Sequence, residues 1–444
     1  MQNNAETTTK ISSALSLSTL MWRYALTSFI THSLFISLSL VPGWRARPLL
    51  YSDAKTYARP AHNLVQHGVF SREDAPPYLW EPYRTPGYPL LVSVSVGLFG
   101  TERWALFFAA ITAGLAALTA VRLTENWGGD RYAQHFAGLC VALLPNSLGL
   151  SARLFTDAIF GHLVLVWLFL TISAVSNFRL ASFCGSQGLL WCLQAIKPTF
   201  HISAMLLIWI GLQYCRSGRK WLVILVLIAL TVPVPFYFGM RNLKDHDISS
   251  PTLLGMDTLR EYLQARHIAE LTNERYLDVR EEIHKVDHHD AGNLQSPDSY
   301  YGRLYSVRRS KVREFLHSHP WAVPRLMVSE AARQLVAPQE YLVWMFVEKL
   351  PFGIRAAGGV LNLLFWACVA LGSYHLGREG NWQPSLTVLG VLGFFLFTGS
   401  ISHLVGARLR FPADMVAIPL AAVGLSLALR QLKLVGGNTP TGDA

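Results

Sequence analysis

The chain has 444 residues, 51% of them hydrophobic and only 15% charged, with a mean hydropathy of +0.30. Soluble domains carry about a quarter charged residues, so this deficit, gathered in long apolar runs, excludes a soluble globular protein and points to a polytopic membrane protein. The net charge of +10 comes without a basic run interleaved with aromatics, which argues against a nucleic-acid partner. The expected surroundings are membrane lipids, with the surplus Lys and Arg setting topology.

The polar start MQNNAETTTK reads as a disordered tail, and residues 1–20 as cytoplasmic. The first apolar run, 21–41, is too long for a signal-peptide core, and VPGWRARP is a poor cleavage site, so it is expected to stay as a transmembrane helix. Further spans are expected at 104–123, 132–150, 157–176, 181–196, 199–214, 221–240, 355–377, 384–404 and 412–432, ten in all. The predicted fold is therefore all-α and polytopic, with about ten transmembrane helices and juxtamembrane helices on the outer face. An N-terminal membrane module covers 21–240 and includes a long outer loop, 42–103. An outer helical region covers 241–354, and 355–444 holds the last spans and a short cytoplasmic tail.

The stretch GYPLLVSVSVGLFG, 87–100, has 14 residues. As a helix it covers ~21 Å, short of a ~30 Å hydrocarbon core, so it is read as a half-membrane or interfacial helix. This choice puts eleven Lys and Arg in the inner short loops and ends, against five in the outer short loops, as the positive-inside rule requires. The five cysteines form no CxxC pair and lie in or beside apolar runs, so they read as small buried hydrophobes. No Asn-x-Ser/Thr sequon occurs.

The topology places Asp53, Asp157, Lys197, Arg241, His403, Arg408 and Arg410 at one membrane surface. Ionisable groups there are costly and are functional candidates. Each also has a plainer reading. Asp53 and Asp157 could be helix N-caps. Lys197 could anchor a helix end, Arg408 and Arg410 could snorkel to headgroups, and His403 could be a structural histidine. In LYSDAKTYARPAHNL, residues Asp53, Tyr57, Ala61 and Leu64 share one helical face, with Pro60 as a possible kink. In HKVDHHD, His284 and His288 have a metal-capable spacing, but the charged surroundings favour a solvated loop. No Walker loop, GxSxG or Rossmann fingerprint occurs, which argues against ATP-driven transport.

Several of these stretches carry a resemblance. Asp53 with Tyr57 four residues on, the A-x-N-L of 61–64, the G-x-F of 68–70 and the R-x-P-G-Y-P of 84–89 resemble the first outer loop of GT-C glycosyltransferases. The likeness is to the family of dolichyl-phosphate-mannose protein mannosyltransferases and bacterial aminoarabinose transferase. Thr156-Asp157, PFYFGMRN with SSPTLLG, FLHSHP, and His403 with RLRFP follow in the same order as that family's later motifs. Asp157 replaces the commoner Glu, Pro60 interrupts the first helix, and no soluble C-terminal domain is expected after the last span.

The resemblance implies transfer of a monosaccharide from a polyprenyl-phosphate donor to a glycan, lipid or protein acceptor at the outer face of a bacterial plasma membrane. Such a transfer needs a base for the acceptor proton. A single carboxylate suffices for inversion, whereas a retaining hydrolase wants two at ~5 Å. Asp53 is the expected base, and Asp157 positions the acceptor or pairs with an Arg. Lys197, Arg241, His403, Arg408 and Arg410 are expected at the leaving lipid phosphate, with Tyr57, Arg84 and Tyr88 shaping the acceptor side. No cofactor is expected, and a divalent metal is left open. An O-antigen ligase or polymerase would concentrate its site in a late loop. A transporter or flippase would show internal repeats and mid-span charges, which this sequence lacks.

Overall fold

The computed structural model describes residues 2–45, 48–51, 53–177, 179–215, 218–292, 299–338, 351–401, 408–432 and 434. Among them the regular structure is helical throughout. Helix α1 (Gln2–Ser39) begins at the second residue, so the stretch expected as a disordered tail is the first part of a helix. Amphipathic α2 (Ala54–His67) and short apolar α3 (Gly87–Phe99) follow, then α4 (Phe107–Asn126).

The expected span 132–150 is broken into α5 (Arg131–Leu143) and α6 (Pro145–Ser151). Pro145 has no N–H for the helical ladder, and it drives Leu144 to an extended ψ of 120°. Helices α7 (Asp157–Asn177) and α8 (Leu180–Ile196) match their predicted spans closely. The next one opens with a 3₁₀ turn at Pro198–Ile202 before α9 (Ala204–Tyr214). The run 221–240 is divided between α10 (Gly218–Ala229) and α11 (Pro233–His246).

The central region is helical: α12 (Leu254–Asp257), a π-helical turn at Thr258–Gln264, α13 (Ala265–Thr272), α14 (Tyr276–Ala291), α15 (Tyr300–Ser318) and α16 (Ala322–Val336). The HKVDHHD stretch is therefore on α14 and not in a solvated loop. Its Asp287 is fully buried and receives Arg260 at 3.0 Å. Helices α17 (Phe352–Arg378), α18 (Gln383–Gly399) and α19 (Phe411–Gln431) complete the chain.

Five helical stretches are long and apolar enough to cross a membrane: Glu102–Asn126, Asp157–Asn177, Lys220–His246, Phe352–Arg378 and Phe411–Gln431. Four shorter apolar helices, α3, α8, α9 and α18, accompany them. The protein is thus an all-helical integral membrane protein, with five helical stretches among the described residues that are long and apolar enough to cross by themselves; the sequence reading expected about ten spans. Helix α1 is not one of the five; Arg23, Ser28, Thr31, His32 and Ser33 interrupt its apolar run.

That polarity has a partner. His32 is buried and meets the Ser147 hydroxyl at 3.0 Å, and Ser147 meets His162 at 2.9 Å. His162 in turn meets the Thr112 hydroxyl at 3.1 Å. The chain of contacts ties α1, α6, α7 and α4 together inside the bundle, where each polar group needs a partner. Two ionisable side chains thus lie within helices that the sequence reading took to be free of mid-span charge.

Helices α17 and α19 pack backbone to backbone. A Cβ at Gly372 or Gly424 would collide with the Leu420 or Cys368 carbonyl of the facing helix, a close approach that small residues allow in membranes. At the end of this pair sits Arg410, which is fully buried. It donates to Asp414 at 2.8 Å, to Asn362 at 2.7 Å and to the carbonyl oxygens of Gln334 and Leu335. One guanidinium thus joins α16, α17 and α19. Arg410→Ala leaves Asp414 in the interior without this partner and is expected to cost about 3–5 kcal/mol. Unfolding of purified Arg410→Ala, Asp414→Ala and the double variant in detergent checks this: the double should lose much less than the sum of the singles.

Candidate active site

The site grows from the loop between α2 and α3. Glu81 is fully buried and folds the loop around itself. Its carboxylate accepts the backbone N–H groups of Tyr83 at 2.7 Å and Arg84 at 3.2 Å, and faces Arg72 at 3.3 Å. From the other side, the 241–254 segment clamps the same loop. Arg241 donates to the Glu81 carbonyl at 3.1 Å, and His246 to that of Trp80 at 2.8 Å. The Thr252 hydroxyl donates to the Tyr83 carbonyl at 2.6 Å, and the Leu253 N–H to that of Pro82 at 3.0 Å.

Gly87 then lets the loop meet α8. A Cβ there would lie 2.6 Å from the carbonyl carbon of Ala195. Only a glycine brings Arg84 and Thr85 so close to Lys197 at the end of α8 without a shift of backbone.

Arg84 faces back onto α2. It donates to the Thr56 hydroxyl at 3.1 Å, the Tyr57 hydroxyl at 3.2 Å and the Asp53 carboxylate at 3.3 Å. Tyr57 is held edge-on by buried Tyr88. Arg408 comes from the far end of the chain. It donates to Asp53 at 2.9 Å and to Asp157 at 2.5 Å, with its guanidinium over the Phe155 ring. Lys197 donates to Asp157 at 2.7 Å.

Asp53 occupies the N-cap position of α2, yet its side chain bonds no backbone N–H. Its carboxylate is 34% exposed, whereas that of Asp157 is completely buried. Of the two, Asp53 is therefore the one an incoming group can reach. Burial pushes the Asp53 carboxyl up, but Arg408 and Arg84 outweigh that and hold it at about 2. Burial likewise raises the Tyr57 hydroxyl.

These side chains form one end of a cavity of about 410 Å³. Asp53, Tyr57, Arg84, Lys197 and Arg408 line it, together with Thr85, Thr156 and Thr199. The rest of the lining is mostly apolar, with Ile202, Leu254, Met256, Leu259, Phe397 and Ile401 beside Thr252, Thr258, Tyr262 and Thr398. Ile202 is 44% and Phe397 51% exposed, so apolar side chains at the cavity also reach the protein surface. A second cavity, of about 550 Å³, is lined by Lys55 and Thr56 in the first turn of α2 and by Arg59, Arg72, Glu73 and Tyr300.

Of the residues singled out in the sequence, Asp53, Asp157, Lys197, Arg408, Tyr57 and Arg84 meet at this cavity, and Tyr88 supports Tyr57 from behind. Arg241 stands back from it and grips the 80–83 loop. Arg410, expected at a lipid phosphate, is turned away, because carbonyl and carboxylate acceptors inside the bundle saturate it. His403 lies outside the described residues. Phe315 of the FLHSHP motif packs against His267 and His319, away from the cavity lining. Sequence reasoning missed Glu81, Thr85 and Thr199, and quoted Thr156 only as part of a motif. Among the described residues no group of three or more His, Cys, Asp or Glu could hold a metal ion, and both site carboxylates face cationic side chains.

No family model matches the sequence, and neither does any curated protein. Solved structures do. The oligosaccharyltransferase AglB of Archaeoglobus fulgidus, in complex with an inhibitory peptide and a dolichol-phosphate, aligns at a TM-score of 0.54 and 15% identity over 96% of this chain and 53% of its own. An oligosaccharyltransferase of the same organism, tethered to an acceptor peptide, aligns at 0.52 and 16% over 93% of this chain and 50% of that one. ArnT of Cupriavidus metallidurans aligns at 0.36 and 15% over 95% and 80%. The chain spans about half the length of the two archaeal structures. The likeness to the two archaeal oligosaccharyltransferase structures is one of fold.

Glu81→Ala removes the acceptor for two buried N–H groups and the partner of Arg72. Hydrogen exchange of a peptide spanning residues 78–88 is expected to quicken about tenfold. Unchanged exchange would mean that the clamp from 241–254 holds the loop by itself.

Proposed function

We propose that this GT-C-fold protein is a glycosyltransferase that moves a monosaccharide from a polyprenyl phosphate to an acceptor hydroxyl or amine. The observation that carries this reading is the bridge from Arg408 to both Asp53 and Asp157, at a cavity whose lining combines these charged groups with many apolar side chains. Three cations (Arg84, Lys197, Arg408) and one carboxylate (Asp53) line the cavity, and with buried Asp157 behind Lys197 and Arg408 this ion-paired cluster carries one positive charge. A sugar phosphodiester of a lipid carries one negative charge. The apolar side chains suit the first isoprene units, and the cavity size suits a small polar group.

In the proposed reaction the acceptor approaches Asp53 from the side of the second cavity. Asp53 takes the acceptor proton while the acceptor oxygen or nitrogen attacks the anomeric carbon. The bond from that carbon to the phosphate oxygen breaks with its electron pair, and the configuration inverts. Arg408 and Lys197 stabilise the charge that develops on the departing polyprenyl phosphate.

At about 2, Asp53 is a weak base in the donor-free protein. A phosphate that draws Arg408 toward itself relieves that depression, so donor binding and base strength are linked. The reaction needs no resident cofactor on this reading, and Asp157 serves to orient Lys197 and Arg408. The excess of basic residues in the loops read as inner supports a site on the extracytoplasmic face of a bacterial inner membrane.

Mass spectrometry of membranes expressing wild type or Asp53→Asn tests the proposal. The variant should accumulate one polyprenyl-phosphate sugar that the wild type consumes, with turnover lower by about 10²–10⁴-fold. Identical lipid profiles from two correctly inserted proteins would sink it. The pH profile gives a second test. In the free protein the depressed Asp53 loses its charge only as pH falls toward about 2, so kcat/KM should show no acid limb from it near pH 4. In the complex Arg408 is shared with phosphate, and the acid limb of kcat should lie at higher pH. Coincident limbs would reject the link to Arg408.

A further inference from the structure

Three of the threonines at the cavity share a property. The Oγ1 atoms of Thr85, Thr156 and Thr199 are each shut off from solvent and have no hydrogen-bond partner within the protein. Thr85 and Thr156 are 3% and 1% exposed, and all three residues line the cavity. A buried hydroxyl without a partner is unfavourable, by about 1–3 kcal/mol, and native structures contain few such groups. Three around one cavity form a set.

Their positions in the chain are also related. Thr85 follows Arg84, Thr156 precedes Asp157, and Thr199 lies two residues after Lys197. Each comes from a different connection, before α3, before α7 and in the turn before α9. The elements that deliver the charged groups therefore also deliver an unused hydroxyl each. Thr56, which is not a lining residue of this cavity, is instead satisfied: it accepts from Arg84 and donates to the Asp53 carbonyl at 2.7 Å.

The chemistry of a hydroxyl indicates what it awaits. It donates once and accepts through two lone pairs. A phosphate only accepts, and the cavity already offers it guanidinium and ammonium groups. A ring bearing several hydroxyls both donates and accepts, and it matches neutral partners spread over three walls. We infer that Thr85, Thr156 and Thr199 form the subsite that reads the hydroxyl groups of an uncharged sugar ring on the donor lipid. This inference rests on the proposed transfer from a lipid phosphate and assigns the part of the cavity that selects the sugar. Rotation about the Cα–Cβ bond is all that a threonine needs to turn its oxygen toward a bound ring.

The test measures binding of C55 polyprenyl phosphates bearing glucose, mannose or galactose, and of the same phosphate without a sugar, to the purified full chain. Thr85→Val, Thr156→Val and Thr199→Val remove a hydroxyl at nearly constant shape. Each is expected to weaken the best-bound sugar lipid about 3–10-fold and to leave the bare phosphate unchanged. Thr→Ser at the same positions keeps the hydroxyl and should keep the affinity, which separates lost recognition from lost folding. Equal weakening of both ligands, no weakening of either, or a wild type that binds no sugar lipid more tightly than the bare phosphate overturns the inference and leaves the transferase proposal standing. A wild type that binds none of these lipids overturns both.

Discussion

Arg408 lies between two carboxylates that precede it by 251 and 355 residues, and the order of the site depends on that meeting. Asp157 is completely buried, and a charge there persists only with cations in contact. Arg408 and Lys197 supply them. The same guanidinium then reaches Asp53, so the start of α2, the start of α7 and the chain entering α19 are held at fixed separations. In a region of low dielectric these contacts are stronger than they would be in water. The arrangement is preorganised by ion pairs and by the packing behind them.

That packing explains why so much of the chain outside the cavity is polar and buried. The 80–84 loop is closed from inside by Glu81 and from outside by Arg241, His246, Thr252 and Leu253. Arg410, two residues beyond Arg408, closes the network on the bundle side. One arginine faces the cavity and its near neighbour locks the helices on which the first depends. Alternation of this kind lets a short segment serve both chemistry and structure.

The membrane class was legible because apolar runs dominate the sequence, and the short helix at 87–99 because the 14-residue run 87–100 does not span a bilayer. The meeting of Asp53, Asp157, Lys197 and Arg408 was legible too, since each stands at the edge of an apolar run and topology puts those edges on one surface. Arg410 looks the same in sequence as Arg408. Only tertiary contacts with Asn362 and Gln334 distinguish them. The break at Pro145 was masked by continuous hydrophobicity on both sides. His32 and His162 carry no periodic signal, and their partners Ser147 and Thr112 lie far away in sequence. Glu81 sits in a loop rich in aromatics and prolines, where a single acid has no pattern. Hydroxyl residues as common as Thr85, Thr156 and Thr199 stand out only once their neighbours are known.

The lengths of the helices around the cavity bear on the bilayer itself. Helices α8, α9 and α18 have 17, 11 and 17 residues, or ~26, ~17 and ~26 Å, beside hydrocarbon of ~30 Å. Lipids next to such a wall match it by compressing, at a cost of fractions of a kcal/mol per Å. The surrounding leaflet would dip where Ile202 and Phe397 face outward, and headgroups there would sit nearer the bilayer midplane than they do farther away. A lipid-linked donor of the kind proposed would meet this thinner leaflet before it touched a charged side chain.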